Sequence, residues 1–367
     1  MVRSSRARAA AVLATGALAV SALAAAPTAA SGPPGPSGPV PVAQFDGPRG
    51  VDVDRAGRIV VGASDGSISV VTDRGPHPRV RVIGSVPPGF APAVAAGRPG
   101  TVYALTGGGA PGTGAATLYV LRNGKPAKPV ADIAAYQQGD HDPYNQEGDP
   151  AESNPYGVAA LKDGSVLVAD AAGNDLIRVY PDGDIVTVAR LKPRTVEVPE
   201  GLPPEFNGEP LPPAGTPITA EAVATSVTVG SDGYWYVGEL RGFPATPGTS
   251  QIWRIKPGSQ DAVCDPEQPN QGDCRRFADG LTSIVDLGAG GNGSVYAVEL
   301  VKQSWLQWEL GLADPPVGSL FRVRPGGART EVAPGQLILP GGVAAGRNGR
   351  LYVTGPIFGP GALSRIA

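Results

Sequence analysis

The chain has few of the residues that most enzymes use for catalysis. Its 367 residues include two histidines, two cysteines and one methionine. It contains no GxSxG nucleophile motif and no zinc-ligand pattern. The glycine-rich run Gly107–Gly114 lacks the Lys-Ser/Thr pair that follows a phosphate-binding loop, so we interpret it as a flexible loop. The sequence therefore designates no catalytic residue.

The chain also lacks an excess of basic charge. Its 30 Lys and Arg against 33 Asp and Glu give a formal net charge of −3. The first 30 residues contain three arginines and no acid, so their removal lowers the charge by three, to −6. Because no basic stripe remains, nucleic acid is not an expected partner.

The N-terminal apolar run, Ala9–Leu23, is too short to cross a bilayer comfortably. It follows three arginines and precedes small residues that end at Ala30. This order is typical of a secretory signal peptide over residues 1–30, cleaved after Ala30; a retained N-terminal anchor is the alternative. Residues 31–38 then form a flexible Pro/Gly tether. We expect a secreted, extracellular protein with no transmembrane segment in the mature chain.

Turn-forming residues, in contrast, are abundant, with 53 glycines and 40 prolines. Between residues 153 and 188, Asp163-Gly164 and Pro181-Asp182-Gly183 separate short apolar strands, which is a hairpin signal. The predicted strands are Gly157–Leu161, Val166–Ala169, Leu176–Tyr180 and Ile185–Val188. Four antiparallel strands in about 36 residues is the size of one propeller blade.

The same pattern occurs six times along the chain. The copies align without gaps on a turn glycine, found at Gly57, Gly100, Gly164, Gly233, Gly293 and Gly349. A second and a third apolar strand follow each glycine. Because one blade cannot bury its own faces, the repeats predict an all-β, six-bladed β-propeller with four-stranded antiparallel blades, formed as a single domain by residues 39–367. A β-sandwich with chance similarity is the alternative.

The two ends of the chain predict how the ring closes. The last copy stops after its third strand, and Pro39–Phe45 forms an extra strand before the first copy. Pairing this strand into the last blade would remove two exposed edges, which otherwise promote aggregation. We expect the N-terminal strand to close the ring in this way.

The two cysteines, Cys264 and Cys274, lie in one insertion of the fourth blade. In an exported protein, two nearby cysteines predict a disulfide. Such a bond would stabilise the fold by about 2–3 kcal/mol in the chain-entropy model. Without nearby histidines, the pair makes a poor metal site.

Long insertions fall mostly on one face of the predicted propeller, where the second-to-third strand loops and the blade links lie. They are Thr106–Thr117, Ala134–Ser153, Arg190–Ala224, Arg241–Ser250 and Val301–Gly318. We call this the long-loop face and expect it to carry the site, because function favours long loops on a rigid scaffold. A short helix in the last insertion would place Trp305, Trp308 and Leu312 on one side, either as a ligand lid or packed onto the propeller.

Carboxylates recur where the second strand ends in three adjacent blades, at Asp170, Glu239 and Glu299. With Asp286 and Asn154, they form a candidate set of oxygen ligands for Ca²⁺ or another divalent cation. Ordinary strand-end capping is the alternative.

The loop before the third blade is rich in acids. They are Asp140, Asp142, Glu147, Asp149 and Glu152. This cluster either adds to a cation site or is solvated loop charge. His141 lies in the same loop, whereas His77 lies in a turn on the opposite face. His141 is thus the one histidine placed to act with these acids, unless it is an ordinary solvated loop residue.

Three segments of the chain resemble the ScyD/ScyE family of bacterial exported proteins. They span residues 142–179 (DPYNQEGDPAESNPYGVAALKDGSVLVADAAGNDLIRV), 222–244 (AVATSVTVGSDGYWYVGELRGFP) and 281–300 (LTSIVDLGAGGNGSVYAVEL). The repeats are also similar to NHL repeats, as in Val168-Ala169-Asp170 followed by Asn174. The second blade departs from the pattern at Ala93 and Pro99. The resemblance implies an exported propeller and gives no catalytic residue to transfer.

Two functions follow from these observations. The first is an extracellular, monomeric binding module that holds a protein or small-molecule ligand on the long-loop face. The second is a metal-dependent hydrolase or lactonase with a carboxylate-bound cation at the channel mouth and a bound water as nucleophile. Convergence of the candidate ligands on one point would favour the hydrolase, and carboxylates tied to backbone amides would favour the binding module. A structural envelope protein is a weaker third possibility.

Overall fold

The computed structural model describes residues 38–74, 77–122, 125–206, 208–346 and 349–366. The predicted signal peptide, its cleavage site at Ala30 and tether residues 31–37 lie outside these ranges. None of the helices within them is long and apolar enough to cross a membrane.

Six blade sheets, two two-stranded sheets and two short helices make up the described chain. The first strand is β1 (Val40–Asp46). The first two blades are β2 (Val51–Val53), β3 (Ile59–Gly62), β4 (Ser67–Thr72) and β5 (Arg79–Ser85), then β6 (Ala93–Ala96), β7 (Thr101–Leu105), β8 (Thr117–Arg122) and β9 (Lys128–Asp132). Helix α1 (Ile133–Gln137) precedes the third blade, which is β10 (Pro155–Ala160), β11 (Val166–Asp170), β12 (Asp175–Val179) and β13 (Ile185–Leu191).

The link to the fourth blade contains two small hairpins. Their strands are β14 (Arg194–Glu197), β15 (Glu205–Phe206), β16 (Glu209–Pro210) and β17 (Pro217–Ala220). The fourth blade is β18 (Ala224–Val229), β19 (Trp235–Glu239), β20 (Ser250–Ile255) and, after the insertion strand β21 (Ala262–Cys264), β22 (Cys274–Leu281). The fifth is β23 (Ile284–Ala289), β24 (Val295–Glu299), then helix α2 (Trp305–Glu309), β25 (Ser319–Val323) and β26 (Arg329–Val332). The sixth is β27 (Gly342–Ala345), β28 (Leu351–Gly355) and β29 (Pro360–Ile366), completed by β1.

The repeated glycine closes the tight turn between the first and second strands of each blade. Gly164 has a φ of 99° and Gly57 a φ of 78°, in the left-handed region that favours glycine. In the same turn, the Asp163 carboxylate accepts a hydrogen bond from the Ser165 N–H at 3.0 Å. The tight turns lie opposite the long loops, and we call that side the tight-turn face.

The six first strands surround a central axis. Strands β2, β6, β10, β18, β23 and β27 contact one another in that order, and β27 contacts β2. Glycine permits their close approach, since a Cβ on Gly157 would lie 2.7 Å from the Cα of Ser226. An apolar cluster fills the space between each pair of neighbouring blades. The six-bladed propeller prediction is therefore confirmed.

The N-terminal strand closes the ring as predicted. Strand β1 pairs antiparallel with β29, from Val40 opposite Arg365 to Asp46 opposite Pro360. A second tie joins the last blade to the first blade. The buried Asp73 accepts hydrogen bonds from the Tyr352 hydroxyl at 3.0 Å and from the Arg365 guanidinium at 2.8 Å.

The third blade has five strands, where four were predicted. The insertion strand β21 pairs in parallel with the outer strand β13, with Leu191 opposite Cys264. The free edge of β13 lies beside this insertion and gains a partner from it. The predicted disulfide, Cys264–Cys274, is present and joins β21 to β22.

Candidate functional site

The carboxylate of Asp170 holds loops of its own blade. Asp170 is fully buried at the end of β11. It accepts hydrogen bonds from the N–H groups of Asn154 at 2.7 Å and Gly173 at 3.2 Å, and from the Ser153 hydroxyl at 2.6 Å. Burial raises the pKa of Asp170, and these donors oppose the increase.

In the next two blades, Glu239 and Glu299 likewise accept hydrogen bonds from neighbouring backbone or side-chain groups. Glu239 forms an ion pair with the buried Arg241 and accepts the Trp253 indole N–H at 2.5 Å. Burial raises the pKa of Glu239, and the Arg241 charge opposes this. Glu299 accepts the Thr282 N–H at 2.7 Å, and burial raises its pKa to about 7.

The five predicted cation ligands are not brought together. The Asn154 side-chain oxygen accepts the Gly108 N–H at 3.0 Å, and Asp286 accepts the Val343 N–H at 2.7 Å in the neighbouring blade. In the ranges that the structure describes, no group of three or more His, Cys, Asp or Glu could hold a metal ion. The oxygens of this set accept hydrogen bonds that fasten strands and loops.

The predicted acidic loop cluster divides into separate contacts. Asp140 pairs with Arg190, and the buried Asp142 accepts the Asn174 amide N–H at 3.0 Å. Asn174 also accepts the Val223 N–H at 2.7 Å and so joins two of the long loops.

Of the remaining acids, Glu147 and Glu152 lie near Glu221, which the sequence analysis did not single out. Burial raises the pKa of Glu147 to about 8, and the charges of Glu221 and then Glu152 add to the increase. Asp149 contributes its backbone carbonyl, which accepts the Glu152 N–H at 3.2 Å. His141 is exposed, and its Nε2 lies 3.0 Å from the Gln138 carbonyl oxygen.

Helix α2 does not form the expected apolar face. It ends at Glu309, so Leu312 lies beyond it and is 50% exposed. Trp305 is fully buried, and its indole N–H donates to the Arg241 carbonyl at 2.9 Å. Trp305 thus packs onto the propeller. Of the three residues expected on one side of the helix, only Trp308 is half-buried.

Five blades contribute to one cluster where the axis meets the long-loop face. The Arg49 guanidinium lies 4.1 Å from the ring centre of Tyr156 and 4.8 Å from that of Phe90. The Phe90 ring lies 6.1 Å from Phe358, which stacks on Trp308 at 5.2 Å. We call these five residues the axial cluster.

Two polar atoms of the axial cluster are buried without a partner in the described chain. Arg49 is 3% exposed and donates from Nε to the Ala91 carbonyl at 2.7 Å and from Nη1 to the Tyr156 carbonyl at 2.9 Å. By geometry its Nη2 has no hydrogen-bond partner there, and neither has the Tyr156 hydroxyl, but the two groups lie beside each other, and their interaction opposes the rise in the Tyr156 pKa that burial causes. Because unpaired buried polar groups are costly, these atoms are candidates for ligand contact.

The axial cluster ends a channel of about 210 Å³ whose lining includes Arg49, Asp52, Tyr156 and Asp286. Asp52 accepts the Ala96 N–H at 2.7 Å, so both carboxylates tie neighbouring blades together. Burial raises the pKa of Asp52 to about 6 and that of Asp286 to about 7. The Arg49 charge lowers the pKa of Asp286, and the Asp52 charge raises it.

The channel opens toward the tight-turn face. At the long-loop end, Arg49, Tyr156 and the glycines beside them are buried. At the other end, the last residues of the first strands are partly exposed, namely Ala96, Ala160, Ala289 and Ala345. A ligand would therefore meet the axial cluster at the closed end of a blind channel.

The sequence analysis missed Arg49 and Tyr156, although one signal marks them. Both occupy the same position of the repeat, directly before the glycine that opens the aligned repeat, Gly50 or Gly157. Phe90, Phe358 and Asp52 follow no repeat, so only the folded ring brings them to the axis.

Solved propeller structures are similar to this chain in fold. The PQQ-bound aldose sugar dehydrogenase from Streptomyces coelicolor has a TM-score of 0.53 at 15% identity, over 89% of this chain and 96% of that one. A glucose dehydrogenase has a TM-score of 0.52 at 13% identity, over 90% and 99%. A gluconolactonase from Xanthomonas campestris has a TM-score of 0.50 at 12% identity, over 92% and 99%. At these identities the likeness shows the six-bladed fold alone.

No protein-family model matches the chain, and no curated protein sequence matches it.

Proposed function

We propose that the protein is an exported binding propeller of the ScyD/ScyE type that holds a small, hydroxyl-rich molecule in its central channel, entered from the tight-turn face and not from the long-loop face where the sequence analysis expected the site. The observation that carries the proposal is the pair of buried, unpartnered donors at the closed end, Arg49 Nη2 and Tyr156 Oη. Hydroxyl groups both donate and accept, so such a ligand can pair with these donors and with Asp52 and Asp286. The channel volume of about 210 Å³ suits one molecule of roughly monosaccharide size.

The carboxylates support binding over metal-assisted hydrolysis. Asp170, Glu239 and Glu299 are each tied to backbone amides or to a neighbouring side chain. In this proposal they stabilise the long loops, and binding requires no cation. The sugar-acting propellers of similar fold are compatible with a hydroxylated ligand.

Calorimetric titration of the mature chain, beginning at residue 31, tests the proposal. The probes are D-glucose, D-gluconate and D-glucuronate. We expect saturable binding of at least one, weakened about tenfold in Tyr156→Phe, since a lost hydrogen bond to a ligand is worth about 1–1.5 kcal/mol. The matched control is Tyr352→Phe, whose hydroxyl bonds to Asp73 away from the channel, and it should bind normally. Absence of binding to all three probes, or equal affinity in Tyr156→Phe, would refute the proposal.

A hydrolase or lactonase without a metal is the second candidate, favoured by Asp286. Its pKa of about 7 in a channel that also contains Arg49 suits a general base that activates water. Hydrolysis of D-glucono-1,5-lactone above the spontaneous rate, lost in Asp286→Asn, would support this function. A rate that equals the spontaneous one would leave binding as the function.

Export and oligomeric state are parts of the same proposal. We expect the protein in the culture medium as a monomer with residue 31 at its N-terminus. Intact-mass measurement and size-exclusion chromatography of the secreted material check these points. A cell-bound chain that retains residues 1–30 would indicate the N-terminal anchor instead.

A further inference from the structure

A second cavity, of about 260 Å³, lies between the first and second blades at the tight-turn face. Its floor is apolar and consists of Val60, Val70, Ile83, Val102 and Leu121. These residues come from β3, β4, β5, β7 and β8, so the cavity is a cleft between two rigid sheets. It shares no lining residue with the central channel.

The rim of this interblade cleft is strongly basic. Two of its five arginines are engaged, since Arg58 pairs with Asp54 at 2.6 Å and Arg98 donates to the Asp163 carbonyl at 2.9 Å. Arg122 follows Leu121 on β8, so its side chain leaves the opposite face of the strand, on the side of Tyr103 and the third blade. The other two, Arg55 and Arg81, are exposed, and neither has a carboxylate partner in the part of the chain that the structure describes.

This concentration of positive charge does not reflect a basic protein. The whole chain carries a formal charge of −3. The one acid that lines the cleft, Asp54, is already neutralised by Arg58. A guanidinium presents paired donors that match the two oxygens of a carboxylate. Charge complementarity therefore favours an anionic group at the rim, and the apolar floor favours a hydrocarbon body.

We propose that the interblade cleft binds a small amphipathic carboxylate, with its head group between Arg55 and Arg81 and its hydrocarbon part on the apolar floor. The volume of about 260 Å³ limits the occupant to a chain of roughly eight carbons or a single aromatic ring. The site is independent of the central channel, and its failure would leave the proposed function untouched.

Calorimetric titration of the mature chain with octanoate tests this site. Acetate and 1-octanol serve as probes that retain only the head group or only the hydrocarbon chain. We expect saturable octanoate binding, with acetate and octanol at least about tenfold weaker, because each lacks one of the two contacts.

Charge-matched variants locate the binding. Arg55→Gln with Arg81→Gln should weaken octanoate binding about tenfold or more. The control pair Arg79→Gln with Arg275→Gln removes the same charge outside the cleft and should change it less than about twofold. All four side chains are exposed, so these variants should fold, and circular dichroism checks this.

Any of the following results would overturn the proposal: no octanoate binding, acetate binding equal to octanoate, octanol binding equal to octanoate, or equal weakening in both variant pairs. Binding that is lost in Tyr156→Phe would also overturn it, by assigning octanoate to the channel.

Discussion

Tyr156 and Tyr352 show two uses of a buried tyrosine in this molecule. Both rings are 4% exposed. The Tyr352 hydroxyl donates to Asp73 and helps to close the ring, whereas the Tyr156 hydroxyl has no partner in the described chain. A bonded hydroxyl stabilises the folded state, and an unbonded one costs desolvation free energy. This difference is why we propose Tyr156, and not Tyr352, as a ligand contact.

The two tyrosines should respond oppositely to loss of the hydroxyl. Without ligand, Tyr156→Phe should leave the free energy of unfolding unchanged or raise it by up to about 1 kcal/mol. Tyr352→Phe should lower it by about 1–2 kcal/mol, because Asp73 loses a donor. Urea unfolding at neutral pH measures both. An equal loss in the two variants would show that the Tyr156 hydroxyl is bonded within the protein.

Asp286 should make stability depend on pH. Its pKa rises from 3.8 to about 7 on folding, so the folded state binds its proton more tightly than the unfolded chain does. The stabilisation is fully present below pH 3.8 and is lost as the pH rises through about 7. Between pH 4 and pH 8, the free energy of unfolding should fall by about 2–4 kcal/mol more in the parent than in Asp286→Asn, since one pKa unit is worth 1.36 kcal/mol. Parallel pH profiles for the variant and the parent would contradict this expectation.

Single positions were predictable from the sequence only where the repeat marked them. The repeat identified Asp170, Glu239 and Glu299 as equivalent, and they are equivalent, each at the end of a second strand. Their partners were not predictable, because donors such as Trp253 and Thr282 come from other strands and loops. Their contacts are those of strand-end caps, which the sequence analysis gave as the alternative to a cation site.

At the level of elements, short strands with turn glycines were the most reliable signal. The glycine turn fixes the reversal, and alternating apolar residues fix which strand faces pack between blades. Helix α2 was less predictable, because five residues carry no helical period and tertiary contacts determine its ends. The fifth strand of the third blade was not predictable, since β21 belongs to an insertion of the fourth blade and pairs with β13 of the neighbouring third blade.

Strand β1 should be essential to the stability of the ring. A chain that begins after Asp46 would leave the edge of β29 unpaired and expose the partly buried Val42, Ala43 and Phe45. We expect a loss of more than about 3 kcal/mol in unfolding free energy, or association through the free edge. Urea unfolding and size-exclusion chromatography measure these effects. The control is deletion of residues 31–37 alone, which should be neutral, and equal behaviour of the two deletions would contradict the role of β1.

The molecule as a whole brings residues distant in sequence to one axis. Arg49 and Tyr156 are linked to the long-loop face through Phe90, Phe358 and Trp308, and each of the five comes from a different blade or blade link. No local pattern could reveal this, because the contacts exist only once the ring has closed. The closed end of the channel is thus a property of the complete propeller.

A crystal structure of the mature protein, soaked with the most tightly bound of D-glucose, D-gluconate and D-glucuronate, tests the central claim most directly. The account predicts ligand density in the central channel, with a ligand oxygen within hydrogen-bond distance of both Arg49 Nη2 and Tyr156 Oη. Ligand density elsewhere on the propeller, with the channel free of it, would contradict the account.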